Sequence, residues 1–448
     1  MMRKSEFEDK FFEALMLHEQ NNPSIKIYKF LLEQEKDNSI LNYLLSAAYN
    51  SAGDIKNAKK FYKKALDINS NIDFYENYKN LPEIIRIAYK LLSSKTNPYK
   101  NLDFEKPLNL KPTFDAVYSN VANLYRCAND LSNTLRICEM GLKEYPDSRF
   151  IKWIMGGGLI KSRFMQDGWK YYDDRVEEFY SLPEDFAKKE IFNFQKTTKP
   201  VYVHYSGGLG DTIFMARYLP LFKEKNIDII CVPQKSIQRL FKASRIEYAD
   251  EKSVKVDDFD YRISFMNLPS LFKTSRQTIP YPEGFLKADE KDIRDFKEQY
   301  FNTNKKKIGI VWNTGKNDNI RKIELKNLIP LFKNKRCQFY SLQHEITNEE
   351  REILNKNNVL NIGENFKDWE DTAAALSNLD IYIGVDTSVS NLAGALAVKS
   401  YILVLDFCEW RWDTIEETTP WFTSTTVYRQ KTHGNWSDVI KRLQHAIK

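Results

Sequence analysis

The stretch 201–220, VYVHYSGGLGDTIFMARYLP, restricts the possible folds more than any other part of this 448-residue chain. It opens with β-branched and aromatic residues, breaks at Gly207-Gly208-Leu209-Gly210, and restarts at Asp211 with helical spacing. Strand, glycine turn and helix in that order form the first unit of a parallel α/β sheet. The turn falls at the carboxyl end of the strand, the edge where open α/β sheets bind ligands. The residues before this stretch and those after it differ in periodicity, so the chain divides here.

A chain of this length exceeds one ordinary core, and two or three domains are expected. Apolar residues at 42% and aromatics at 14% suffice to fill them. The net charge of +6 is small, and Lys and Arg alternate with Asp and Glu in KNAKKFYKKALDIN and EKDIRDFKEQY. Such mixing marks solvated helix faces rather than a nucleic-acid surface. The five cysteines (Cys127, Cys138, Cys231, Cys337 and Cys408) have neither metal nor redox spacing, as expected of reduced thiols in a cytosolic protein. The first residues, MMRKSEFEDKFFEALMLHEQ, are charged throughout and read as neither signal peptide nor anchor. No run is apolar enough to span a bilayer, so a cytoplasmic location is expected, with the inner face of a membrane left open.

Residues 5 to about 180 keep a helical period, with apolar positions three or four apart in FFEALMLHEQ, YKFLLEQE, LNYLLSAAY and AKKFYKKALDI. Leu45, Tyr49, Ala58, Tyr62 and Ala65 fall at the large and small positions of a helix-turn-helix repeat of about 34 residues. Tyr118, Ala122, Tyr125 and Pro146 take the same slots in a later unit, and Gly156 and Tyr172 in the one after it. This pattern resembles the tetratricopeptide repeat, departing at Asn42, Thr134, Cys138 and Gly141, with an insertion needed over about 73–114. A first unit over about 5–38 is degenerate, which suits a terminal cap; a plain helical bundle is the alternative. Stacked helix pairs build a concave surface suited to a peptide or partner protein. DGWKYYDDR then reads as a last helix whose aromatics cap the stack, and 181–200, with Pro183, Thr197, Thr198 and Pro200, as a linker.

Two α/β halves are expected after the linker, over 201–300 and 301–448. In the first, strands at Tyr202 and IDIICVP alternate with helices from Asp211 and Ser236, YRISFMNLPSLF follows, and Pro280, Pro282 and Gly284 mark an irregular crossing. The second holds strands KIGIVW, QFYSLQ, VLNIG, DIYIGVD and SYILVLD, the last clear one, and ends in a helix over 436–447.

Chemistry-bearing residues gather at the turns. Gly207, Gly208 and Gly210 free the backbone for a tight turn, and amides at the helix start favour an anion. The spacing is not that of a dinucleotide fingerprint. Asp211 reads equally as an N-cap or as a general base. Gly384-Val385-Asp386-Thr387-Ser388 places hydroxyls and outward amides at a second helix start, suiting a diphosphate, with a plain turn as the alternative. Asn313, Lys316, Arg321 and Lys322 follow Trp312 at the same edge, where a cation, Arg321 foremost, would neutralise a leaving phosphate. Gln343 would read a base or ribose. Among the five histidines, His204 is placed in the core and His344 near the cleft, and no metal set is expected.

In order along the chain stand DGWKYYDDR, GLGDTIFMARYLP, FMNLPSLF with TIPYP, GIVWN, YSLQ, DWEDTAAALSNLDIYIGVDTSVSNLAGAL and EWRWD…TPWF…VYRQ. From about residue 39 onward the chain resembles bacterial tetratricopeptide-repeat glycosyltransferases whose catalytic region is similar to the heptosyltransferase family. The resemblance implies an α-helical repeat (TPR-like) domain over 1–180 followed by a GT-B fold of two Rossmann-like domains, acceptor-side and donor-side. It implies a nucleotide-activated sugar as substrate rather than cofactor, and a metal-independent, inverting transfer. Asp211 maps to the catalytic Asp, Asp386, Thr387 and Ser388 to the donor-phosphate motif, and Arg321 to the basic donor-loop residue. Gly208, Gly210, Asn313, Lys316, Gln343 and Asn391 complete the expected substrate contacts, with no metal. The chain departs from the family at Ser206-Gly207, where relatives carry Glu-Gln, and at Asn391, where they often have His. The expected function is sugar transfer to a hydroxyl, on a protein held by the repeats. The alternatives are a non-catalytic scaffold and an enzyme acting on a lipid-linked glycan.

Overall fold

The computed structural model describes residues 24–34, 39–68, 115–127, 129–173, 182–314, 321–406, 408–412, 416–432 and 434–448, together with Lys10, Ala14 and Lys36. The chain forms two compact units, 1–151 and 152–448. Most of the degenerate first repeat, and the insertion over 73–114, lie outside the described residues.

The first unit is helical. Ser39–Ser51 packs on Ile55–Ile68, and Ala116–Cys127 on Leu131–Glu144. Both hairpins turn by the same device. A left-handed residue, Gly53 (φ 76°) or Asn129 (φ 59°), is followed by an Asp whose carboxylate caps the next helix. Asp54 accepts from the N–H and the side-chain amide of Asn57 at 3.1 and 2.7 Å. Asp130 does the same with Asn133 at 3.1 and 2.7 Å. One repeat length beyond Asn129, Arg163 (φ 73°) turns the chain between Arg149–Lys161 and Met165–Tyr172. Tyr49 stacks on Phe61, a residue outside the expected repeat positions, at 5.6 Å between the paired helices.

The second unit contains two Rossmann-like sheets. In the first, β1 (Glu190–Ile191), β4 (Tyr261–Ser264), β2 (Val201–His204) and β3 (Ile229–Val232) lie side by side in that order, all parallel. The supposed linker therefore belongs to the sheet: β1 pairs with β4, and Phe186 buries itself against Tyr202 and Phe259 at 5.3 and 5.0 Å. Prolines and threonines concealed this, because a two-residue edge strand has no period of its own.

The second sheet has seven strands. They are β5 (Lys306–Val311), β6 (Cys337–Ser341), β7 (Leu360–Asn361), β8 (Ile381–Val385), β9 (Ser400–Val404), β10 (Thr418–Thr419) and β11 (Phe422–Arg429). Their order is β10-β11-β9-β8-β5-β6-β7, and only β10 runs antiparallel. SYILVLD is thus not the last strand. β11, FTSTTVYR, pairs with it over five residues, and its run of Thr and Ser masked a strand that is partly buried on both faces. Each sheet reverses its winding beside its first long strand, between β2 and β4 and between β5 and β8. Crevices at such points are where ligands settle in open α/β sheets.

The two halves share one core. Phe214, Trp410, Trp421 and Phe422 from both halves pack with Trp169 and Tyr172 of the Met165–Tyr172 helix. Trp169 meets Trp410 edge-on at 5.3 Å, and its indole N–H donates to the Thr274 carbonyl at 2.9 Å. Asn267 donates to Asp173 at 2.9 Å. The DGWKYYDD aromatics therefore enter the α/β core instead of capping a helical stack. Gly156 allows this helix to pass backbone to backbone, since a Cβ there would lie 2.5 Å from the Tyr172 nitrogen. Arg217 is wholly buried at the centre, donating to the Phe214 and Trp421 carbonyls at 3.0 and 2.9 Å. Its guanidinium lies within 4.5–5.3 Å of the Phe214, Phe285, Trp421 and Phe422 rings, and burial pulls its pKa down to about 9.

A second junction between the halves is acidic. Arg239 binds Asp292, Asp368 and Asp371 at 2.7, 2.8 and 3.2 Å. Beside it the buried Glu370 accepts from the Asp289 N–H at 2.7 Å, and its other oxygen has no partner among the described residues. Burial pushes its carboxyl up to about 7, against the pull of the Asp289 N–H. A carboxyl raised from 4.5 to about 7 takes up a proton on folding, so the folded state loses stability as pH rises through that window. Glu370→Gln keeps an acceptor for Asp289 and removes the titration. Thermal or urea unfolding should show the variant gaining about 1–3 kcal/mol on wild type between mildly acidic and mildly alkaline buffer. A difference that does not change with pH would refute this.

Candidate active site

The turn after β2 and the turn after β8 meet. The helix Leu209–Met215 packs against Ser388–Ala395, and the contact is closest at Gly210. A Cβ on Gly210 would lie 2.8 Å from Ser388 Oγ, 3.0 Å from Ser388 Cα and 3.0 Å from Asn391 Nδ2. The Asn391 amide donates to the Gly210 carbonyl at 3.3 Å, while its buried oxygen has no partner among the described residues. Gly210 and Asn391 thus seat one turn on the other, a structural task beside the substrate contact expected of them.

Gly207 is needed for space as well. A Cβ there would stand 2.8 Å from Asp211 Oδ2. None of Gly207, Gly208 and Gly210 has a positive φ, so this turn uses their lack of a side chain rather than their conformational freedom. The helix begins at Leu209, two residues earlier than its spacing suggested, with Gly208 as N-cap.

Asp211 is the third residue of its helix and reaches back to the N-cap Gly208, so it is not itself the N-cap that one reading expected. Oδ2 accepts from the Gly208 N–H at 2.9 Å, which is a capping contact. Oδ1 is ion-paired with Arg411 Nη2, and the side chain stays 29% exposed. Arg411 comes from the EWRWD segment, 200 residues further on, and was not among the residues expected at the site. Its guanidinium lies over Phe214 and Trp410 at 4.9 and 4.8 Å. Burial strips its hydration, but Asp211, then Tyr172, Asp386 and Glu409, outweigh that and hold its pKa above the ordinary value. The only available signal was position: a charged residue between two tryptophans in a motif already singled out.

At the second turn, Asp386 follows β8 and Thr387 caps the Ser388–Ala395 helix, accepting from Ser390 N at 3.3 Å. Ser390 Oγ in turn donates to the Val385 carbonyl at 2.6 Å, which closes the turn. Arg321 reaches Asp386 at 3.4 Å while remaining largely exposed. Asn313 follows β5 across the switch point, and its side-chain oxygen is buried without a partner among the described residues. Gln343 spends its amide oxygen on the N–H groups of Trp312 and Asn313, at 3.3 and 3.1 Å, so it positions the loop start. Lys316 lies outside the described residues.

Smaller contacts frame the first turn. Ser206 is buried and shares a hydrogen bond of 2.7 Å with Ser264, tying the ends of β2 and β4. Gln234, at the end of β3, donates to the Gly207 carbonyl at 3.1 Å, and its own oxygen is buried without a partner among the described residues. His204 is fully buried against Tyr202, as expected, whereas His344 is exposed. Among the described residues no three His, Cys, Asp or Glu side chains assemble as metal ligands, and no helix is long and apolar enough to cross a membrane.

The two abutting turns carry a partly exposed carboxylate paired with Arg411 and a helix start whose preceding Asp386 is paired with Arg321. A carboxylate there can accept a proton, and amides and guanidinium groups can hold a phosphate. Because Gly210 faces backbone, Gly210→Ala should cost about 1–3 kcal/mol by overpacking. Gly208→Ala meets only Asp211 Oδ2, at 3.5 Å, and should stay within about 1 kcal/mol of wild type. Chemical denaturation of both variants checks the contrast, and equal losses would contradict the close approach.

No family model matches the chain. Among curated proteins, Protein FlbA of Caulobacter vibrioides is 22% identical over 379 residues, covering 77% of this chain and 63% of that protein. The chain thus spans less than two-thirds of this relative's length. Among solved structures, the chain is similar to an E. coli ADP-heptose LPS heptosyltransferase II, with a TM-score of 0.41 at 11% identity over 55% of this chain and 98% of that one. It is similar to a family 9 glycosyl transferase of Veillonella parvula, with a TM-score of 0.40 at 12% identity over 52% and 86%. An O-GlcNAc transferase of Thermobaculum terrenum aligns over 100% of this chain and 93% of its own, with a TM-score of 0.26 at 11% identity.

Proposed function

We propose that the protein is a glycosyltransferase moving a sugar from a nucleotide-activated donor to an acceptor hydroxyl. The observation that carries this reading is the contact of the Gly210-Asp211 turn, through Gly210, with Ser388 and Asn391 of the helix that follows Asp386, beside the switch points of two Rossmann-like sheets. The ordered motifs of the sequence support it independently.

In this reading Asp211 takes the proton of the acceptor hydroxyl as its oxygen attacks the anomeric carbon. The bond from that carbon to the phosphate oxygen breaks, and the nucleoside diphosphate leaves with the electron pair. Thr387 and Ser388, at the amino end of their helix, face the diphosphate, and Arg321 offsets the charge that develops on it. Attack from the side opposite the leaving group inverts the anomeric centre. Asn313 and Asp386 flank the crevice that would hold the nucleotide sugar, and Gln343 fixes the loop beside it.

The helical hairpins supply the acceptor side. Their shared turn and interlocked aromatics suit a TPR-like array, and such arrays present peptides or proteins along a concave face. The acceptor is accordingly placed on a protein, and the reaction in the cytoplasm, with no metal in the transfer.

Purified protein incubated with a panel of nucleotide sugars and cell lysate should release free nucleotide with one donor base, and the labelled sugar should appear on protein in membrane-depleted lysate. Asp211→Asn should lower turnover about a hundred- to ten-thousandfold while donor binding persists. Donor binding without turnover in any lysate would make the protein a scaffold. Label found only when membranes are present would move the acceptor to a lipid-linked glycan.

A further inference from the structure

Among the described residues Arg411 is the cation that touches the carboxylate Asp211, yet its placement is unlike that of a residue devoted to an ion pair. It crosses from the C-terminal half to the turn of the N-terminal half, and its side chain is only 12% exposed. Its Nε–H is buried with no hydrogen-bond partner among the described residues, and a buried unpaired donor on a charged group is costly. The charges acting on it include Asp386, which begins the donor-side turn, as well as Asp211. The guanidinium thus touches Asp211 and lies within electrostatic reach of Asp386. Phe214 and Trp410 offer it an aromatic bed that makes no directional demand.

We propose that Arg411 is a shared cation, parked on Asp211 while the donor site is empty and turned to the diphosphate when a nucleotide binds. This rests on the glycosyltransferase reading and adds an order of events to it. A diphosphate offers several acceptor oxygens to a fork of five N–H donors, including the Nε–H that Asp211 leaves unpaired. Moving the guanidinium releases Asp211 Oδ1, so the base becomes available only once the donor is in place. An acceptor arriving first meets a carboxylate already engaged. Covalent bonds do not change in this step, which is an exchange of hydrogen-bonding partners. Arg321, more exposed and paired with Asp386, remains the outer cation of the same site.

The exchange makes a prediction about binding alone. Calorimetric titration of wild type, Asp211→Asn, Arg411→Gln and the double variant with ADP, UDP, GDP and CDP measures it without any acceptor or turnover. For the nucleotide that binds wild type, Asp211→Asn should tighten Kd about fivefold, because the cation no longer has a competing partner. Arg411→Gln should weaken Kd about tenfold or more. In the double variant the tightening should vanish, since there is no cation left to release. If Asp211→Asn tightens binding equally with and without Arg411, the effect is only the removal of a negative charge, and the exchange is overturned. No change in either single variant overturns it as well. Should Arg411→Gln fail to fold, Arg411→Lys serves, keeping the charge but losing the fork, with an intermediate weakening expected and none overturning the proposal. Failure of every nucleotide to bind wild type would instead remove the donor-site reading on which this step depends.

Discussion

Two helix starts from different sheets touch where Gly210 has no side chain, and the candidate site depends on that contact. Ser388 and Asn391 occupy the volume a Cβ would need. With even a methyl group there, the two turns would separate and the crevice between the switch points would widen. The Arg411–Asp211 pair spans the same junction from the other side. A glycine chosen for proximity rather than for backbone freedom is therefore what brings a carboxylate and a hydroxyl-bearing helix start together.

A layer of aromatics supports that junction. Phe214 lies one turn along the helix from Asp211, packs on Trp421 at 4.9 Å and also carries the Arg411 guanidinium. Trp410 and Trp421 are themselves in contact at 5.3 Å, and Trp169 closes the cluster from its own helix. Arg217 at its centre has no carboxylate partner among the described residues; carbonyls and ring faces hold it. Well-packed rings in fixed orientations limit the rotamers open to the polar groups above them, which is how a site is kept within the tolerance its chemistry demands.

Several expectations were legible because a single stretch of chain carries them. The helix after the glycine turn, the last helix and the buried strands β2 and β8 follow from local periodicity. β1 and β11 were missed, one being a two-residue edge and the other a Thr-rich strand whose partner lies elsewhere in the sequence. DGWKYYDD was read as the end of a helical stack because amphipathic spacing says that a face is buried, not against what.

At the site the division is the same. The sequence by itself determined which turns carry polar chemistry: a glycine break before Asp211 and a hydroxyl-bearing helix start after Asp386, each set by spacing of a few residues. Only the tertiary structure decided that these turns abut, that Gly210 is a contact point, that Gln343 serves the backbone, and that Arg411 pairs with Asp211. Those facts join residues far apart in the chain, and their energies come from packing and charge at distances of a few ångströms. Local periodicity holds no record of such distances.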